Sequence, residues 1–120
     1  MRKSILVGVV SCLCLLWSVS GFAQEEQTVK GEVLDLSCYI KSGAKGAGHA
    51  ACAKSCVKSG QPMGLLTDDG TVLLLATGED KDKIEILKDL AGEMVEVKGA
   101  TSERDGIKML IVSDAKKSGS

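Results

Sequence analysis

Residues 90–115 read LAGEMVEVKGATSERDGIKMLIVSDA, and the spacing of apolar residues and glycines in this stretch decides the fold. Met94, Val95 and Val97 alternate with Glu96 and Lys98, and residues 107–113 (IKMLIVS) form a second run of aliphatic and β-branched residues. Glu103-Arg104-Asp105-Gly106 separates the two runs and is suited to a turn. Residues 93–100 and 107–113 are therefore expected to be the last two strands of a sheet.

Working outward, the period changes. In residues 80–91, Ile84, Leu87, Leu90 and Ala91 share one face at helical spacing, and Lys81, Lys83, Glu85 and Lys88 point elsewhere. Asp82 with Glu85 forms a variant of the capping box, and Gly92 is placed to stop the helix. Before it, residues 61–67 (QPMGLLT) and 71–77 (TVLLLAT) flank Asp68-Asp69-Gly70, a strong hairpin signal. Residues 28–36 (TVKGEVLDL) read as a first strand bent near Gly31.

The expected class is mainly β: three strands, a helix, then two strands, the order of a five-stranded OB-like barrel in which the helix plugs one end. Residues 37–60 form a helical, Cys- and His-bearing insert between the first two strands. On the residues 90–115 quoted above, with Gly, alternating strand, Gly, loop, Gly and alternating strand in succession, the chain resembles the small exported bacterial OB-fold-like proteins. The insert departs from a plain OB domain, so the resemblance implies a fold and no ligand. No internal repeat is present.

Within the insert, residues 38–56 (CYIKSGAKGAGHAACAKSC) hold Cys38, Cys52, Cys56 and the only histidine, His49. A helix over residues 47–58 places His49, Cys52 and Cys56 at about 0°, 300° and 340°, inside a sector roughly 60° wide. Cys38 precedes the flexible SGAKGAG run, which lets it fold back onto that face. The expected site is a Cys3His cluster of Cys38, His49, Cys52 and Cys56 that holds zinc or copper(I) in a carrier, sensor or structural role. Met63 reads as core, although a thioether there would favour copper.

The start of the chain explains the parity of the cysteines. Arg2 and Lys3 precede an apolar run from Ile5 to about Val19, and Gly21-Phe22-Ala23 offers small residues for cleavage. Residues 1–23 are expected to be a signal peptide, with an N-terminal anchor or a lipoprotein as minor alternatives, and the protein to be periplasmic or otherwise extracytoplasmic. Cleavage removes Cys12 and Cys14 and leaves residues 24–114 as one domain with a polar tail over 115–120. The three remaining cysteines cannot all pair in an oxidising compartment. A disulfide from Cys38 to Cys52 or Cys56, stapling a non-enzymatic interaction module, is the alternative, and thiol–disulfide redox chemistry the third reading.

Other classes are excluded. After cleavage, 13 basic residues face 16 acidic ones, and Tyr39 is the only aromatic residue, so neither phosphate contacts nor base stacking supports nucleic-acid binding. The glycines of residues 43–48 lack a following Gly-Lys-Ser/Thr, and no Cys-x2-Cys-His for haem is present. No catalysis of its own is expected. Its partners are a metal ion and, with it, another envelope protein, without membrane insertion after signal cleavage.

Overall fold

The computed structural model describes residues 25–119, so the signal-peptide assignment for residues 1–23, with Cys12 and Cys14, lies outside the described residues. Five strands, β1 (Glu26–Asp35), β2 (Met63–Thr67), β3 (Val72–Thr77), β4 (Met94–Arg104) and β5 (Ile107–Lys117), close a barrel in the order β1-β2-β3-β5-β4. β1 pairs antiparallel with β4 over residues 26–32 and with β2 over 31–35, while β3 and β5 pair in parallel. The fold is mainly β with the expected order of strands and helix, an OB-like barrel carrying a helical insert after its first strand.

Gly31 sits where β1 passes from one neighbour to the other. A Cβ there would lie 2.4 Å from the Leu66 carbonyl oxygen, so the absence of a side chain permits the tight closure. Val33, Leu65, Val95, Val97, Leu110 and Val112 fill the interior and are fully buried, alternating along their strands with solvent-facing residues. Met63 belongs to this core.

Strand ends differ from their expected limits for identifiable reasons. β4 runs four residues closer to the hairpin tip than alternation alone suggests, to Arg104, while β5 starts at Ile107 as expected, because Asp105 (φ 52°) and Gly106 (φ 86°) complete a two-residue turn with positive φ. β5 also runs to Lys117, into the segment expected to be a polar tail, since Ala115 is buried and pairs with Val97. The helix before β4, α3 (Asp82–Asp89), buries Ile84 and Leu87 against the barrel. Its N-cap position is Lys81, which makes no side-chain capping bond; the Asp82 N–H is met instead by the Asp80 carboxylate at 2.9 Å, so the expected Asp82–Glu85 box is not what starts the helix.

Residues 36–60 hold two helices rather than one helix with a mobile approach. α1 (Leu36–Ser42) follows β1 directly, a single 3-10 turn covers Ala47–His49, and α2 (Ala50–Lys58) buries Ala53 and Val57 in the core. No helix among the described residues is long and apolar enough to cross a membrane.

Candidate metal centre

Asp35 ends β1 and caps α1. Its extended backbone (φ −75°, ψ 105°) and its Oδ1, which accepts from the N–H groups of Ser37 at 2.9 Å and Cys38 at 3.4 Å, turn the chain into the helix. Cys38 then falls on the first turn of α1, fixed by the helix instead of tethered by a loop. At the other end Gly43 (φ 71°) closes α1 by donating its N–H to the Tyr39 carbonyl at 2.7 Å.

His49 is positioned from two sides. The Glu32 carboxylate accepts from the Gly46 N–H at 2.7 Å, and the His49 N–H bonds back to the Gly46 carbonyl at 3.0 Å. On the far side Gly92 (φ 82°) lies against the start of α2, where an added Cβ would come within 2.6 Å of the Ala50 Cα. The loop between the two helices is therefore pinned at both ends, and His49 is carried toward Cys38.

The result is a compact group. One ligand atom each from Asp35, Cys38 and His49 lie within 4.8 Å of one another. Asp35 is 1 % exposed and is the buried charged residue among the described residues. Its Oδ2 and the His49 Nε2 are both buried without a hydrogen-bond partner. An orphaned polar atom in a protein interior is costly, and two of them on residues of one group call for an explanation.

The thiols confirm the electrostatic character of the place. Cys38, Cys52 and Cys56 are free, the first and last half-buried and Cys52 exposed. A hydrogen bond to the Asp35 carboxylate first, then burial and the carboxylate's charge, raise the Cys38 thiol above its ordinary value and push Cys56 up to about 11. Asp35 itself feels burial most, which raises it, but the thiols of Cys38 and Cys56 and the N–H groups of Cys38 and Ser37 outweigh this and hold it below the usual carboxylate range. Neither thiol reaches Oδ2 in good hydrogen-bonding geometry, so that oxygen stays unpartnered. Two protonated thiols around a carboxylate are poor nucleophiles, which disfavours thiol exchange, yet a divalent cation would reverse the balance by displacing their protons.

Of the four residues named from the sequence, Cys38 and His49 lie in the compact group, Cys56 lies beside Cys38 and Asp35, and Cys52 stands outside it at the surface. Asp35 was not among them. Its signal was present as a helix-capping aspartate three residues before a cysteine, but Asp35 falls inside the expected first strand, residues 28–36, which hides its cap.

Compared with known proteins, the chain matches no family model, no curated protein and no solved structure.

Proposed function

We propose that this is an exported metal-binding protein without catalysis of its own, which holds zinc through Asp35 Oδ2, Cys38 Sγ and His49, with Cys56 placed to complete the shell. The observation that carries this reading is that Asp35 and His49, each with a buried, unpartnered atom (Oδ2 and Nε2), are brought into one group with Cys38. Oxygen, nitrogen and sulfur donors together suit zinc, whereas copper(I) favours an all-soft set. Met63, the nearby thioether that would have favoured copper, is engaged in the core. A filled four-ligand shell serves a carrier, sensor or structural role, and export is inferred from residues 1–23 alone.

The test is a competitive zinc titration of the reduced protein beside Asp35→Asn, Cys38→Ser and His49→Gln. Each substitution is expected to weaken binding by roughly a hundredfold or more, beyond the loss typical of a residue that only orients a ligand. Unchanged affinity in Asp35→Asn and His49→Gln would sink the assignment.

A second reading, an interaction module stapled by a Cys38–Cys56 disulfide, has one observation in its favour: the two thiols lie side by side. It leaves the orphaned oxygen and nitrogen unexplained.

A further inference from the structure

The three thiols differ in depth. Cys38 shares the group with buried Asp35, Cys56 is half-buried beside Cys38, and Cys52 is exposed one helical turn before Cys56, with its thiol beside that of Cys56. The thiols thus lead from exposed Cys52 to half-buried Cys56 on one face of α2, and from there across to half-buried Cys38 on α1, next to buried Asp35. Asp35, at 1 % exposure, is out of reach of any ligand bound to another molecule.

The insert that carries this path is basic, and the acidic groups it meets, Asp35, Glu32, Glu93 and Asp89, come from the barrel and α3. Residues 36–60 contain four lysines and no acidic residue, in a chain of net charge −1. Lys54 and Lys58 are tied to the barrel through Glu93 at 3.3 Å and Asp89 at 2.6 Å. Lys41 and Lys45 remain exposed on α1 and on the loop that leads to His49. Exposed lysines, unpaired among the described residues, on the insert that carries the exposed thiol attract anionic molecules to it.

Resting on the zinc-binding reading, we infer that Cys52 is the exchange thiol through which zinc passes between the buried site and an anionic thiolate donor or acceptor. On loading, a bond from zinc to the Cys52 sulfur forms as a bond from zinc to the donor's thiolate breaks, and the Cys52 proton passes to the departing thiolate. Zinc then shifts to Cys56 and on to Cys38, His49 and Asp35 by the same substitution. The inner thiols release their protons to solvent, and Cys52 takes one back. Cys52 is in this account a residue of the route and not of the resting shell.

The experiment compares direct titration with free zinc and stopped-flow loading from the zinc complexes of glutathione, an anionic thiol, and cysteamine, a cationic one. Cys52→Ser is expected to keep its equilibrium affinity within about threefold and to load from either complex about tenfold more slowly or worse, because a neighbouring ligand no longer hands the ion inward. Lys41→Glu with Lys45→Glu is expected to slow loading from glutathione by about tenfold at low salt and to leave cysteamine loading no slower. Wild-type loading rates in Cys52→Ser would overturn the route, as would a large loss of its equilibrium affinity, which would make Cys52 a resident ligand. No uptake of free zinc by the unmodified protein would sink the site itself, and the route with it.

Discussion

At the residue scale, Asp35 divides two tasks between its oxygens: Oδ1 caps α1 and Oδ2 is left for the site. Asp35→Asn retains a capping oxygen, so the helix should persist while zinc binding is lost, a separation that Asp35→Ala would blur by also removing the cap. The same carboxylate governs the thiols. Cys56 titrates near 9.0 ordinarily and is pushed up to about 11 in the folded, metal-free protein, so the native state keeps a proton that the unfolded chain has released between those values. Stability of the metal-free protein should therefore fall as pH rises from 9.0 to about 11. Denaturant midpoints across that range check this, and Asp35→Asn should flatten the slope. Zinc affinity should move the other way and rise with pH, since binding must displace thiol protons. A pH-independent affinity would show that no thiol is a ligand.

At the scale of elements, the site depends on how α1 and α2 are held against the barrel. Gly92 has a positive φ and meets Ala50, so Gly92→Ala should cost more than about 1 kcal/mol in chemical unfolding and also weaken zinc by shifting the 3-10 turn that carries His49. Glu32 acts more locally. Glu32→Ala frees the Gly46 N–H and is expected to reduce zinc affinity by roughly tenfold, the loss typical of a residue that orients a ligand. Both variants are read by unfolding and titration in parallel. The strands and α3 were legible in the sequence because alternation and helical spacing are local signals. α1 was not, because Leu36 falls at the end of the expected strand and the residues after it in the approach to a single expected helix over 47–58, and only the capping geometry of Asp35 shows that a helix starts at once. For the site, Cys38 and His49 were visible from residue chemistry. The approach of Asp35 to His49 depends on the Gly46 and Gly92 contacts, which no short-range pattern contains.

At the scale of the molecule, the core and the site share β1, which carries Val33 and Asp35, and α2, whose Ala53 and Val57 pack inward while Cys56 is half-buried and Cys52 exposed. The barrel has an aliphatic core of its own, so removing metal should leave strand circular dichroism intact, with zinc raising the unfolding midpoint by mass action. Leu110→Ala, deep in the barrel, should instead cost about 2–5 kcal/mol with or without metal. Collapse of the whole fold on chelation would show that the insert organises the barrel, contrary to the packing. The most direct measurement is the zinc X-ray absorption spectrum of the loaded protein. Asp35, Cys38, His49 and Cys56 predict a mixed shell, at most two sulfurs at about 2.3 Å with nitrogen and oxygen at about 2.0–2.2 Å. Three or more sulfurs would contradict it, since Asp35 would then be outside the shell and the thiols alone would hold the ion.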